Sequence, residues 1–246
     1  MTYCFDLDRT LCATPSSKKY KEAVPYKNVI EYVNKLYSED NYIKIFTARG
    51  GGSGIDWHET TTSQLKEWGV KYHELIDKGK PHYDIFVDDK AYNSYKWRKE
   101  NNIAITGFVA GAFDLLHAGH CLFLREAKLS CDYLYVGLQC DPSVESPEKR
   151  PLGQSKNSPV QSLEERLLQL ESTSYVDKVL VYKTENDLFD LLQELKPNIR
   201  ILGSDYRGKK ATGEEFSEGV VYHERNHQWS SSELRARLSP LITNGS

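Results

Sequence analysis

Apolar positions along the 246-residue chain gather into short runs separated by longer amphipathic stretches. Tyr3–Phe5 is such a run and stops at Asp6. Val29, Ile30, Val33, Leu36 and Tyr37 recur at helical spacing, which predicts a helix over Asn28–Tyr37. Tyr42–Phe46 reads as a second strand and His58–Trp68 as a helix stopped by Gly69. Ile85–Val87 reads as a buried strand and Tyr92–Glu100 as a helix. The alternation then restarts with strand Ile105–Ala110, helix Ala118–Lys128 and strand Tyr133–Leu138. Asp141–Pro159 is polar and rich in proline, a long connection of the kind that usually serves function. Ser162–Glu171 is a helix opened by a Ser162-x-x-Glu165 capping box. Strand Lys178–Tyr182, helix Asp187–Leu195, strands Arg200–Leu202 and Val220–Tyr222 and a short helix Ser231–Leu238 follow.

Strands alternating with helices predict an α/β fold with parallel sheets covered on both faces. The restart near Asn101–Ile103 predicts two domains, 1–102 and 103–240, with 241–246 as a tail.

Composition narrows the function. Lys and Arg number 32 against 35 Asp and Glu, a net charge of −3, and a general nucleic-acid binder would show a basic excess. Five cysteines without a Cys-x-x-Cys pair favour neither a disulfide framework nor a four-thiolate zinc site. No run approaches the roughly 18 apolar residues of a membrane span, and mean hydropathy is −0.59. The first residues lack a basic stretch followed by an apolar one. A cytoplasmic protein with neither membrane nor nucleic acid as partner is the expectation.

Two constellations carry chemistry. In the first, Asp6 and Asp8 lie two residues apart just past a strand, so both point to one side. Thr47 follows the next strand, Lys80 precedes a third, and Asp88 and Asp89 end it. Ligands of open α/β sheets collect at the carboxyl ends of strands. A hard divalent ion, above all Mg²⁺, takes oxygen ligands, and Asp6, the main-chain carbonyl of Asp8 and Asp88 supply them. Asp6 can attack phosphorus, and Asp8 can protonate the leaving alcohol and later deprotonate water. Thr47 and Lys80 can hold the phosphoryl oxygens. A strand-end acidic pair alone is commonly just a solvated turn; the ordered set carries the reading. Asp6–Thr10, Phe46–Gly50, Gly79–Pro81 and Phe86–Ala91 resemble the four motifs of haloacid dehalogenase-like phosphatases, especially small members found in capsule and surface-polysaccharide loci. The resemblance spans residues 1–100. Arg9 stands where glycine is usual, and without a cap insertion only Cys12–Pro25 and Gly50–Trp57 are left to set specificity.

The second constellation is Gly111–His120, a glycine-containing turn from a strand into a helix. A helix N-terminus offers free N–H groups to phosphate. His117 and His120 share a face of the first turn, and two imidazoles can donate to phosphate without a permanent charge. Gly119 lets a ligand approach the backbone. A zinc site lacks a nearby third ligand, and two surface histidines capping a helix are the bland alternative.

Gly111–His120 resembles the cytidylyltransferase branch of the HxGH nucleotidyltransferases, over about residues 105–238. Arg225–Ser232 falls on that branch's arginine-to-hydroxyl motif before a last helix, and Leu202–Tyr206 on its glycine-acidic-aromatic strand end. Ser162–Glu171 and Tyr175–Val179 are similar to the glycerol-3-phosphate cytidylyltransferases. The resemblance implies that His117, His120, Lys156 and Ser231 surround a triphosphate, and that Arg166 and Arg225 hold phosphate charge. It implies that Asp205 orients the base or the acceptor, with Gly111, Phe113, Asp114, Gly119 and Ser230 binding nucleotide. Ser230 can equally cap the last helix through Glu233, Arg166 can be a surface ion-pair residue, and Trp229 can stack on a base or fill core. Lys149 and Arg150 share the long loop with Lys156.

Together the resemblances imply two Rossmann-like domains, a phosphatase and a transferase of CMP from CTP to a small phosphorylated alcohol such as glycerol phosphate. Mg²⁺ is the implied cofactor and a homodimer the implied assembly. Adenylyl transfer, or a silent N-terminal binding domain, are the alternatives.

Overall fold

A computed structural model describes residues 1–15, 19–79, 91–144 and 156–243. The expected strand Ile85–Val87, Lys80, Asp88 and residues 145–155 of the long loop lie outside the described residues. The chain divides into two compact units, Met1–Ile105 and Thr106–Ser246.

The first unit begins with β1 (Thr2–Phe5) and a small antiparallel pair, β2 (Cys12–Ala13) with β3 (Val24–Pro25). Helix α1 (Lys27–Ser38) follows and buries Val29, Ile30, Val33 and Leu36, the predicted face. Next come β4 (Tyr42–Phe46), α2 (His58–Glu67), β5 (Glu74–Ile76) and α3 (Ser94–Glu100). β4 lies between β1 and β5, both parallel to it. Three residues of β5 are too few for a periodic signal, and its pairing with β4 makes it a strand. α3 starts later than predicted because Asn93 caps it, its Oδ1 accepting from the Lys96 N–H at 3.1 Å.

The second unit runs β6 (Thr106–Gly111), α4 (Ala118–Leu129), β7 (Tyr133–Gln139), α5 (Leu163–Glu171) and β8 (Lys178–Tyr182). It continues with α6 (Glu185–Leu195), β9 (Ile199–Gly203), β10 (Gly219–His223) and α7 (Ser231–Thr243). Its five strands are all parallel, in the order β10-β9-β6-β7-β8. The predicted α/β class and parallel sheets are thus what the chain adopts. β6 is central, and the chain winds one way through β7 and β8 and the other way through β9 and β10. The strand order therefore reverses between β6 and β9, where a crevice opens at the carboxyl ends. Phe108, Tyr182, Leu188 and Leu192 form a core cluster against α6. Among the described residues no helix is long and apolar enough to cross a membrane.

Candidate functional site

The crevice at the β6/β9 reversal is a cavity of about 570 Å³. Gly111, Phe113, Asp114, His117, Gly119 and His120 line it from the β6–α4 turn, Asp205 from β9's end, and Lys156, Arg225, His227, Trp229 and Ser231 from the later segments. Twelve residues scattered from 111 to 231 thus converge where the sheet topology places a ligand.

The β6–α4 turn is under tension and tied down. Phe113 and Leu115 take φ of +48° and +52°, a left-handed backbone that side chains rarely adopt. The Leu115 N–H donates to Gln161 Oε1 at 2.7 Å. Asp114 is 5% exposed, and its Oδ1 accepts from the Val160 and Gln161 N–H groups, each at 3.0 Å. Arg235 Nη2 donates to its Oδ2 at 2.5 Å. Burial pushes the Asp114 carboxyl up, but the Gln161 and Val160 amides and Arg235 outweigh it and hold it below the usual carboxylate range.

His117 is the N-cap of α4. Its Nδ1 accepts from the Gly119 N–H at 3.1 Å, so the proton of the neutral ring sits on Nε2. Burial, then Arg225 and His227, pull its pKa down, so the ring is neutral at pH 7. His120 stacks on it at 3.9 Å between centroids and 22°. Burial, with His117 and Arg225 adding to it, pulls His120 to about 3, and its buried Nδ1 has no hydrogen-bond partner among the described residues.

Four expected roles need correction. Arg166 is 2% exposed and spends its guanidinium on main-chain carbonyls: Ala112 at 2.9 Å, Gln139 at 2.8 Å, Gln161 and Ser162 at 3.3 Å, and Cys140. It ties α5 to the ends of β6 and β7 and lies outside the cavity lining, so it is neither a surface ion-pair residue nor placed to hold phosphate. Ser230 caps α7, its Oγ accepting from the Glu233 N–H at 3.1 Å. Ser231, read as free for phosphate, donates its hydroxyl to the Asp114 carbonyl at 2.9 Å. Gly119 serves packing more than ligand approach: an added Cβ would meet His227 Cε1 at 2.8 Å and the Trp229 carbonyl at 2.9 Å. Arg225 lies at the surface of the cavity and donates to the Trp229 carbonyl at 3.0 Å.

Several residues escaped the sequence reading. His227 stacks on Trp229 at 5.1 Å, and both ring nitrogens are buried without a partner among the described residues. Gln161 and Arg235 brace the Gly111–His120 turn from distant segments, which no local pattern reveals. Arg200 did carry a signal, a charge inside the apolar run Ile199–Leu202 of a parallel strand, where near-continuous hydrophobicity is the rule.

The first unit has its own strand-end cluster. Asp6 follows β1, and the Asp8 carboxylate accepts from Thr14 Oγ1 at 2.6 Å, from Arg49 Nε at 3.0 Å and from Arg49 Nη2 at 2.8 Å. Thr47 is fully buried past β4, its Oγ1 donating to Asp8 Oδ2 at 3.5 Å. Arg49, given no role from the sequence, also donates to Gln64 Oε1 at 2.6 Å and lies 4.8 Å from the Tyr20 ring centroid. Burial pushes the neighbouring Cys12 thiol up to about 12. Arg9 takes φ +63°, which accounts for a position where glycine is usual. Arg49, Gly50, Trp57, His58 and Asp77 border a cavity of about 290 Å³. Among the described residues no group of three or more His, Cys, Asp or Glu side chains could hold a metal ion.

Comparison with known proteins bears on the second unit. The bifunctional protein HldE of Helicobacter pylori is 38% identical over 139 residues, which cover 56% of this chain and 28% of that protein. The bifunctional protein HldE of Wolinella succinogenes is 35% identical over 125 residues, 51% of this chain and 24% of that one. The matched region therefore spans about a quarter of the length of these curated relatives. A lipopolysaccharide core biosynthesis protein of Thermoplasma volcanium, known from its crystal structure, shows 22% identity over 56% of this chain and 88% of its own, with a TM-score of 0.35. A family model described as cytidylyltransferase-like matches residues 108–237, more than half of the chain and the whole span from β6 into α7. By that match the chain belongs to the cytidylyltransferase-like family.

Proposed function

We propose that the second unit transfers a nucleotidyl group, CMP from CTP, to a small phosphorylated alcohol, with glycerol phosphate as the leading simple acceptor. The observation that carries this is the pair of neutral, stacked imidazoles at the start of α4, on the carboxyl edge of the central strand and inside a cavity of about 570 Å³. The acceptor's phosphate oxygen attacks the α-phosphorus in line, and pyrophosphate leaves. No covalent intermediate with the protein is needed, so the protein positions the reactants and stabilises charge. His117 offers its Nε2–H to the phosphate oxygens, and the N–H groups at the start of α4 add their partial charge. Lys156 and Arg225, at the mouth, offset triphosphate charge. The Trp229–His227 stack offers a face for the base, and Asp205 an acceptor for its amino group or for the alcohol. Mg²⁺ bound through the triphosphate's oxygens would neutralise part of its charge.

For the first unit we propose a Mg²⁺-dependent phosphatase. Asp6 is the nucleophile, Asp8 the acid and base, and Thr47 with Lys80 the phosphate-binding pair. Asp6, the Asp8 carbonyl and Asp88 would hold the ion. One observation favours the alternative of a silent binding domain: Arg49 and Thr14 already occupy the Asp8 carboxylate, which in the phosphatase must be free to pass a proton. A phosphatase that consumed the acceptor would starve the transferase, so the two sites would act on different phosphates or on successive intermediates. Surface-polymer precursor synthesis is the setting this chemistry suits.

Pyrophosphate release from the intact chain, with CTP or ATP and glycerol phosphate or other alcohol phosphates, tests the transferase reading. CTP is expected to be used well above ATP. Equal use would overturn cytidylyl transfer in favour of a nucleotidyltransferase that does not select the base.

A further inference from the structure

Arg200 is the second residue of β9, 2% exposed and paired in register with Phe108 of β6. Its Nη1 donates to the Phe108 carbonyl at 3.2 Å, and its Cζ lies 4.9 Å from the Phe108 ring centroid. Nε is buried with no hydrogen-bond partner among the described residues. Arg166 is buried to the same degree but has carbonyls on all three nitrogens. Arg235 also has a buried Nε without a partner among the described residues, but its Nη2 is paired with the Asp114 carboxylate, whereas Arg200 makes no ion pair among the described residues. A buried guanidinium that leaves a donor unsatisfied is costly, so the position calls for an explanation.

The same side chain lines the cavity, along with Tyr182, Glu185, Tyr206 and Thr212. Glu185 accepts from Thr212 Oγ1 at 2.5 Å. Burial pulls the Arg200 guanidinium down to about 10, against the opposing pull of Tyr182, Tyr206, Glu185 and Glu214, so it stays charged at neutral pH. Arg200 sits three residues before the end of β9, roughly 10 Å along the strand from the rim at about 3.3 Å per residue. His117 and His120 stand at that rim, beyond the end of β6. The cavity therefore has a nucleotide-facing rim and an inner arm floored by a cation.

Resting on the nucleotidyltransferase reading above, we propose that this inner arm is the acceptor subsite, and that Arg200 binds an oxyanion on the acceptor at the end remote from the reacting phosphate. A guanidinium donates only, and its Nε edge matches a carboxylate or a phosphate with two parallel hydrogen bonds. The preferred acceptor is then a polyol phosphate with a second acidic group. The Glu185–Thr212 pair and the tyrosines are placed to meet its hydroxyls.

The test uses the intact chain, its Arg200→Met variant and α,β-methylene-CTP with Mg²⁺ to fill the triphosphate site. Inorganic phosphate and acetate are then titrated while the melting temperature is followed. At least one of them is expected to raise the melting temperature of the wild type. That shift is lost in Arg200→Met, which by itself melts no lower than wild type. In turnover, 3-phosphoglycerate (carboxylate) and glycerol 1,3-bisphosphate (phosphate) are compared with glycerol 3-phosphate. The acceptor with the correct second anion is expected to show a KM lower by about tenfold or more. Arg200→Met erases that advantage and leaves the CTP KM unchanged, and Arg200→Lys restores part of it. Two results would overturn the proposal. One is no gain from either second anion; the other is an Arg200→Met variant that melts lower yet keeps the anion shift, which marks a structural strut. If α,β-methylene-CTP and the matching ATP analogue both fail to shift the wild-type melting temperature, the nucleotide reading itself fails and the subsite falls with it.

Discussion

At position 117 a neutral imidazole accepts from the Gly119 N–H and, on the proposed nucleotidyl transfer, leaves its Nε2–H as a donor toward phosphate. His117→Asn should keep the cap, because the amide oxygen takes over from Nδ1, while the donor at the Nε2 position, which the shorter amide does not reach, is lost. Its melting temperature should stay near wild type while pyrophosphate release falls about 10²–10³-fold. His117→Ala should lose the cap as well, at about 1 kcal/mol. His120 adds a pH signature. Its pKa is about 3 in the folded chain against an ordinary value of 6.5, so below 6.5 the unfolded chain takes up a proton that the folded one refuses. The stability this residue contributes is complete above pH 6.5 and declines as pH falls toward 3. Melting temperatures measured from pH 7 to pH 4 should fall less steeply in His120→Phe than in wild type. Arg166 shows what sequence leaves out. That Asp6 and Asp8 lie just past a strand, and that His117 and His120 sit together at the start of a helix, was legible because spacing along the chain fixes both. Whether an arginine meets a phosphate or five main-chain carbonyls is decided by segments far apart in sequence, and so is the use of Ser231. Arg166→Met should accordingly destabilise the fold, by about 3 kcal/mol or more, since several buried carbonyls lose their donor together. Acceptor and nucleotide KM values should not move.

Elements were legible where pattern and cap agreed. α5 begins where Ser162 and Glu165 predicted it, with both hydrogen bonds of the box present. α6 begins two residues earlier than its apolar pattern suggested, because Thr184 and Asp187 form a box with Asp in place of the usual Glu or Gln. Thr184→Ala should cost about 1 kcal/mol in chemical denaturation, and Asp187→Ala less. β5 and the β2–β3 pair were not foreseen. Runs of two or three residues carry no periodicity, and they are strands only by virtue of their neighbours. The sheet order of the second unit was likewise not readable, since alternating strands and helices fix parallel pairing without fixing which strand lies in the centre.

For the whole molecule, each candidate site is built from one compact unit with a sheet of its own. Asp6→Asn in the intact chain should therefore abolish any phosphatase turnover and spare nucleotidyl transfer, with His117→Ala doing the reverse. Loss of transfer in a folded Asp6→Asn protein would mean a single composite site. The grip on Asp114 has a further consequence, in time. Its carbonyl is held by Ser231 and its carboxylate by Arg235, 117 and 121 residues downstream. A ribosome adding about 5–20 residues per second needs roughly 6–23 s to cover that interval. Throughout it the turn that carries His117 is already made but lacks its last clamps. The growing polypeptide would thus be inert toward nucleotide until α7 emerges and docks, and chains halted before Ser231 should accumulate without consuming substrate.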